Sequence, residues 1–544
     1  MMYSYQEAFF MNKPNILFIT TDQQRYDTIH AHGYEFMHTP NLDRLAHEGC
    51  SYTHAFSPNP VCIPARHNIL CGLPCKEHTF DDNYFDDSHQ IPYDLPTFAQ
   101  ILSDAGYDTI AVGKMHFQPY RRHNGFHRLL LMDEIPRFRE DDEYALYLKE
   151  KYPHLQSLHG VRHALYMQPQ QSLVKEEDHG SSWVAKETIN YLKNKSKDKP
   201  FMLWAGFIAP HPPFDVPASY AEMYKGQSIP KPSITKTTLS TLAEENKNIA
   251  DYPNMETLMR ARELYYASIS FVDKNIGLIL DQLEAMGELD NTLILFTSDH
   301  GEMLGDLGTY QKFLPYDPSC RVPMILRYPG KVKPNTFCDD FVDLNDILPT
   351  FLDAANVPYP SNKELPGASL LKNEKDRSMQ YVEHQHGARR WVSLRKGSFK
   401  YNYYYGGPRE ELFDLQNDPQ ETENLLETKP EAYNAKRLEL RRDLVAHEKK
   451  WGLEGCIVND DFVSYPDFTL NFYRECNPPF FPSHLAHEEE CQQLWPLEKE
   501  LLAAIKDEPV VDLNKLDLDY FATRHVLNKE ELLKHADDNQ PAKK

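Results

Sequence analysis

Residues 15–25 read Asn-Ile-Leu-Phe-Ile-Thr-Thr-Asp-Gln-Gln-Arg, an apolar run that ends in a polar cluster. A short continuous apolar run is typical of a strand buried on both faces in a parallel sheet. Similar runs occupy residues 109–112, 201–207 and 292–297, and amphipathic helical patterns separate them, the longest of which ends at Gly287. This alternation predicts an α/β fold with a central, mostly parallel sheet flanked by helices.

The pattern changes near residue 378. Short β-like segments at 379–383, 390–394 and 399–405, separated by glycine-containing turns, predict a smaller antiparallel sheet. The predicted organisation is an N-terminal extension (1–13), a large α/β domain (14–375), a smaller C-terminal α+β domain (376–452) and a C-terminal extension (453–544) whose polar end is disordered.

Composition excludes several classes of protein. The 544 residues carry a formal net charge of -23, which argues against nucleic acid as a partner because binding phosphate backbones needs excess Lys and Arg. An apolar run of transmembrane length is absent, so no membrane partner is predicted. The N-terminus lacks the basic start and long apolar core of a signal peptide, which predicts a cytoplasmic location. Nine scattered cysteines, an odd number, favour reduced thiols.

Cys62 begins the segment Cys-Ile-Pro-Ala-Arg, which opens a predicted short helix that closes at Gly72. Pro64 fits a first helical turn, so Cys62 lies at the helix N-terminus, where free amides and the helix dipole favour a negative or strongly polar group. These residues alone fit an activated thiolate or a buried core cysteine equally well.

Two polar clusters follow predicted strands. Asp22 and Gln23 come after the first strand, and Asp299 and His300 come after the strand at 292–297. Either pair alone fits an Asx turn or a helix cap. Together they offer two carboxylates, an amide oxygen and an imidazole, mostly hard ligands of the kind that Ca²⁺, Mg²⁺ or Mn²⁺ accepts. Ligands of α/β proteins bind beyond the carboxyl ends of strands, so the sequence predicts one divalent metal there.

Cationic and titratable side chains also follow the strands. Lys114 and His116 come after residues 109–112, and His211 comes after 201–207. Lys312 lies in a glycine-containing loop beyond Asp299, and alone it fits a solvated loop residue. With Arg66, these residues form a set suited to neutralising a tetrahedral oxyanion such as sulfate or phosphate.

These residues resemble the motifs of the sulfatase family, within the alkaline-phosphatase superfamily. Cys62-x-Pro64-x-Arg66 is similar to the family's modification motif, in which the cysteine becomes formylglycine. The resemblance covers about residues 13–450, and residues 411–425 resemble the end of the family's small C-terminal sheet domain. The clusters follow the family's order along the chain: Asp22-Gln23, Cys62 to Arg66, Gly113-Lys-x-His116, His211-Pro-Pro213, Ser298-Asp-His-Gly301 and then Lys312.

The resemblance implies a hydrolase that cleaves sulfate esters of a sugar or of a small aryl or alkyl substrate, with the hydrate of formylglycine as nucleophile. It implies that Lys114 and Arg66 hold this hydrate and that Lys114 and Lys312 contact the sulfate oxygens. His116 would be the base that releases the product, and His211 the acid near the leaving group. The implied metal ligands are Asp22, Gln23, Cys62, Asp299 and His300. The implied partners are a small anionic sulfated substrate and a formylglycine-generating maturation enzyme, and a homo-oligomer is left open.

Two positions depart from the commonest sulfatase pattern. Many members have a second aspartate in place of Gln23 and an asparagine in place of His300. Both variants resemble phosphonate monoester hydrolases of the same family. An amide and an imidazole lower the charge and hardness of the site, so Mn²⁺ rivals Ca²⁺, which remains the first expectation.

Three alternatives to a sulfatase are kept. The first is a phosphonate monoester or phosphodiester hydrolase with the same nucleophile, favoured by Gln23 and His300. The second is a thiol enzyme that uses unmodified Cys62. The third is an inactive relative that only binds ligands, although each expected polar position is filled.

Overall fold

The computed structural model describes residues 13–84, 89–134, 141–152, 169–172, 174–247, 252, 254–372 and 377–468. Most of the predicted N-terminal extension and residues 469–544, with the predicted disordered end, lie outside the described residues. The described strands, in chain order, are β1 (Asn15–Asp22), β2 (Cys50–Phe56), β3 (Asp108–Gly113), β4 (Arg128–Leu131), β5 (Pro169–Gln171), β6 (Phe201–Pro210), β7 (Phe214–Val216), β8 (Thr292–Ser298), β9 (Met324–Arg327), β10 (Thr336–Asp343), β11 (Met379–His384), β12 (Trp391–Lys396), β13 (Phe399–Tyr404), β14 (Arg409–Asp414), β15 (Ile457–Val458) and β16 (Asp461–Phe462).

Eight strands form the large sheet in the order β10-β2-β9-β8-β1-β6-β3-β4. Neighbouring strands run parallel except at β9, which is antiparallel to β2 and β8. Strands β8, β1, β6, β3 and β4 are therefore five consecutive parallel strands. Their carboxyl ends meet at one edge of the sheet, which is where an α/β protein binds its ligands.

Helices cover both faces of this sheet. Along β1, Ile16 and Phe18 pack into one apolar core and Leu17 and Ile19 into the other, because successive strand residues point to opposite faces. All four side chains are fully buried, as the continuous apolar run predicted. The described helices are Pro40–Glu48, Cys62–Cys71, Cys75–His78, Phe98–Asp104, Glu143–Lys151, Gly180–Asn194, Ala218–Ala221, Thr241–Asn246, Met255–Ala285, Asp317–Cys320, Ile347–Ala355, Leu425–Thr428 and Pro430–Trp451.

Strands β11 to β14 form the smaller sheet, which is antiparallel throughout. Its apolar face, including Val392 and Leu394, packs against Leu440 and Leu444 of the helix Pro430–Trp451. The predicted α/β class, with a smaller antiparallel sheet after the large one, is confirmed. The exact domain boundaries remain predictions.

The predictions of reduced cysteines and of no transmembrane helix can be compared with the structure only within the described residues. The seven cysteines among the described residues carry free thiols, and Cys476 and Cys491 lie outside that range. Among the described helices, none has both the length and the apolar character needed to cross a membrane.

Candidate active site

The five consecutive parallel strands each deliver a polar residue to the same edge of the large sheet. Asp22 ends β1, Asp299 follows β8, Lys114 follows β3 and His211 follows β6. Glu134 lies just beyond β4. All five residues are buried. The structure therefore brings together the clusters that the sequence placed after separate strands.

Cys62 faces this edge from the first turn of the helix Cys62–Cys71, which follows β2. Its Sγ lies 3.1 Å from Nε2 of His300 and 3.9 Å from Oδ1 of Asp22. Burial, followed by the nearby Asp22 carboxylate, raises the pKa of the Cys62 thiol to about 12. Burial therefore disfavours the thiolate, the nucleophilic form of an unmodified Cys62, in the absence of a bound cation.

A group that could hold a metal ion surrounds Cys62. Potential ligand atoms of Asp22, Cys62, Asp299 and His300 all lie within 4.8 Å of one another, and the four residues are buried. Burial above all lowers the pKa of His300 to about 3, so its imidazole is neutral and free to act as a ligand. Two carboxylates and a neutral imidazole fit a divalent cation.

Gln23 lies beside this group with a backbone φ of 67°, in the left-handed region. Its amide nitrogen donates to Glu302, and its Oε1 accepts a hydrogen bond from Lys312 Nζ at 2.7 Å. The amide is thereby oriented with its oxygen toward the cationic side of the site. Its predicted role as a metal ligand stays a prediction.

Arg66 and Lys114 compensate the two buried carboxylates. Arg66 contacts Asp299 at 2.8 Å and Asp22 at 3.2 Å, and Lys114 Nζ lies 2.6 Å from Asp22. Burial opposes ionisation of Asp22, but Lys114 and other neighbouring cationic groups hold the pKa of this carboxyl well below its usual range. Burial, and then the Asp22 charge, raises the pKa of Asp299. Lys114 Nζ also lies 3.9 Å from Cys62 Sγ, so its charge reaches the nucleophile position.

The two remaining histidines differ in their surroundings. His211 Nδ1 lies 2.7 Å from the Pro212 carbonyl oxygen, and its Nε2 lies 3.0 Å from Lys312 Nζ. His116 has a backbone φ of 55°, and its backbone N–H donates to the Asp133 carboxylate. Burial above all, with Lys114 the next cause, holds the pKa of His116 well below its usual range, so the imidazole is neutral and able to accept a proton. The catalytic roles of both histidines remain predictions.

Three buried carboxylates of this region were missed by the sequence analysis. Asp133 holds the backbone of His116, Glu134 contacts Lys114 and His211, and Glu302 holds the amide of Gln23. A signal for Asp133 and Glu134 existed, because the apolar run at 129–132 directly precedes them, as with the other strand-end clusters. Glu302 carried a weaker signal, its position directly after Ser298-Asp-His-Gly301.

Comparison with known families agrees with this geometry. The model of the sulfatase family matches residues 14–357, well over half of the chain. The chain belongs to the sulfatase family. A second family model, described as the C-terminal region of N-sulphoglucosamine sulphohydrolase, matches residues 305–450 of this sulfatase.

Named relatives point to the same chemistry. An arylsulfatase of Clostridium perfringens is 33% identical over 491 residues, covering 85% of this chain and all of the relative. A choline-sulfatase of Rhizobium meliloti is 29% identical, covering 81% of this chain and 88% of the relative. The protein is a sulfuric ester hydrolase, as the sequence analysis expected.

The fold is shared with solved structures of the family. The phosphonate monoester hydrolase of Agrobacterium radiobacter has a TM-score of 0.69 and 23% sequence identity, covering 83% of this chain and all of that one. This likeness confirms the fold.

Proposed function

We propose that this sulfatase hydrolyses the sulfate ester of a small substrate, a sugar or an aryl or alkyl alcohol, with Cys62 matured to formylglycine beside one divalent metal. The observation that carries the proposal is the position of Cys62: its Sγ lies within reach of Asp22, His300 and Lys114 at the same time. A nucleophile held beside a ligand group and a fixed cation is the arrangement that transfer of an anionic group requires.

Formylglycine hydrate supplies a hydroxyl nucleophile, and a divalent cation supplies positive charge next to it. Asp22, Cys62, Asp299 and His300 would hold the metal, with Gln23 as an additional oxygen donor. The donor set favours Ca²⁺, and the neutral imidazole of His300 keeps Mn²⁺ as the rival. A maturation enzyme of the host is required for the modified residue.

Side chains of the chain itself supply the remaining steps. Lys114 and Lys312 neutralise the sulfate oxygens, while Arg66, anchored by Asp22 and Asp299, orients the nucleophile. His211 acts as the acid near the leaving alcohol, a role for which its Nε2 must first take up the proton that it then gives to the alcohol oxygen. Glu134, 3.3 Å from Nε2, favours this protonated form. His116 accepts a proton as the products form. In the net reaction, the sulfate ester and one water give the alcohol and hydrogen sulfate.

A phosphonate monoester or phosphodiester hydrolase is the second candidate, favoured by Gln23 and His300 and by the fold shared with such an enzyme. The comparison to make is kcat/KM for an aryl sulfate and an aryl phosphonate monoester with the same leaving group. We expect the sulfate to be preferred. A phosphonate preference of several orders of magnitude would reverse the ranking of the two candidates.

Removal of the metal is expected to abolish turnover. Exhaustive chelation should remove the metal ion that Asp22 and Asp299 are proposed to bind. Add-back of Ca²⁺ or Mn²⁺ should restore activity. Elemental analysis of the isolated protein gives the identity of the ion, and the Asp299→Ala variant should contain less of it. Full activity in a chelated sample that contains no metal would contradict the metal site.

Two further predictions extend this function. We propose a cytoplasmic location, which the free thiols of the described cysteines support and which cell fractionation would test. Oligomeric state is left open and is measured by sedimentation.

A further inference from the structure

Glu134 places a carboxylate inside a pocket that must receive an anion. It lies beyond β4, and its side chain is only 4% exposed. Its Oε2 lies 2.7 Å from Lys114 Nζ and 3.3 Å from His211 Nε2. Potential ligand atoms of Cys62, Glu134 and His211 lie within 4.8 Å of one another, so the carboxylate lies close to the nucleophile position, as Lys114 Nζ does at 3.9 Å.

Holding Lys114 in place does not explain this carboxylate. Lys114 Nζ already has Asp22 Oδ2 at 2.6 Å, and the Lys114 backbone carbonyl accepts a hydrogen bond from Arg66 at 2.5 Å. The ammonium group therefore has a carboxylate partner besides Glu134. Glu134 adds a second negative charge next to it.

The charges of the pocket show what this addition does. Arg66, Lys114 and Lys312 supply three permanent cations. Asp22 and Asp299 face the proposed metal, whereas Glu134 contacts Lys114 and His211 and so places a negative charge beside the residues proposed to act on the transferred group. A sulfate monoester carries one negative charge, whereas a phosphate monoester carries nearly two above its second pKa of about 6. The extra charge of the phosphate would face the Glu134 carboxylate.

We propose that Glu134 is a specificity-determining residue that admits singly charged esters and rejects doubly charged phosphate monoesters. This inference rests on the proposed function for the place where the transferred group binds. Two unit charges about 5 Å apart at an effective dielectric constant of about 20 correspond to roughly a hundredfold change in affinity. Residual screening lowers that figure, and about tenfold or more should remain measurable.

The test compares two phosphate esters that share a leaving group and differ by one charge: p-nitrophenyl phosphate, a dianion near pH 8, and methyl p-nitrophenyl phosphate, a monoanion. For the matured holoenzyme and its Glu134→Gln variant, the quantity measured is the ratio of kcat/KM for the dianion to kcat/KM for the monoanion. We expect the substitution to raise this ratio by about tenfold or more. A ratio that stays within threefold of the wild-type value overturns the proposal.

Asp133→Asn is the matched control, because Asp133 is a neighbouring buried carboxylate that holds the His116 backbone instead of facing Lys114. The control should lower kcat/KM for both esters together and leave their ratio within threefold. An equal rise of the ratio in the control would show a general field effect and overturn the assignment to Glu134. If Glu134→Gln does not fold, the wild type is measured alone: equal turnover of both esters overturns the filter, and a strong preference for the monoanion is the result that the filter requires.

Turnover of p-nitrophenyl sulfate is measured in the same preparations and separates this inference from the proposed function. A ratio that rises in Glu134→Gln with no sulfate turnover in the wild type would support the charge filter and refute the sulfatase assignment. Sulfate turnover by the wild type, with a ratio that Glu134→Gln leaves unchanged, would support the sulfatase function and refute the charge filter.

Discussion

Replacing Cys62 with alanine is expected to lower kcat for an aryl sulfate by about four orders of magnitude or more, as loss of a covalent nucleophile does in other enzymes. The substitution removes the atom that lies 3.1 Å from His300 Nε2 and 3.9 Å from Lys114 Nζ, and the alanine methyl group is not a nucleophile. Steady-state kinetics of the purified variant measures the loss.

Cys71→Ala is the matched control. Cys71 ends the same helix, is also fully buried, and contributes to the apolar core instead of the site. It should cost stability and leave kcat within a few-fold of the wild type. The mass of the wild-type peptide that contains Cys62 separates the two nucleophiles: a loss of about 18 Da indicates oxidation of the thiol to the aldehyde. An unmodified peptide from a fully active sample would favour the thiol mechanism.

Lys114→Ala should lower kcat by about two orders of magnitude or more, because it removes a preorganised charge that acts on the transferring group. Lys114 is fully buried, with Asp22 at 2.6 Å and Glu134 at 2.7 Å. The variant therefore leaves two carboxylates without this cation and should also unfold more easily. Kinetics and thermal unfolding, measured together, separate the two effects.

Lys195→Ala controls for the loss of a buried lysine. Its Nζ pairs with Glu288 at 2.9 Å, and its side chain is 5% exposed, but it follows the helix Gly180–Asn194, away from the strand ends that carry the site. This control should lose stability and keep kcat. A change in kcat below threefold for Lys114→Ala would refute its assigned role.

Sequence patterns predicted the strands whose cores are continuous apolar runs. β1, β3, β6 and β8 were placed correctly because burial on both faces leaves no polar position in the middle of such a strand. Strand β2 escaped prediction because Ser51, Thr53 and His54 interrupt its apolar pattern. Backbone pairing with β9 and β10 in the folded sheet stabilises β2, although its own apolar pattern does not identify it as a strand.

Those site residues that follow the correctly predicted strands were also predicted from the sequence. Polar clusters after predicted strands had to converge at one edge, and Asp22, Lys114, His211 and Asp299 do so. Glu134 was missed because its strand, β4, has only four residues. The orientation of the Gln23 amide depends on contacts made across the folded chain, which no local pattern encodes.

The helix Cys62–Cys71 is buried along all of its ten residues, and this bears on when the proposed maturation of Cys62 could take place. An enzyme that oxidises Cys62 must seat the side chain and its flanking backbone in its own active site. In the finished fold that would mean pulling the helix away from the helices Phe98–Asp104 and Ile347–Ala355, which requires unfolding part of the core. The proposed conversion would therefore compete with folding on the nascent chain, and a molecule that folds first would keep its thiol. The fraction of active enzyme in a preparation would then depend on relative rates during synthesis and not on an equilibrium afterwards.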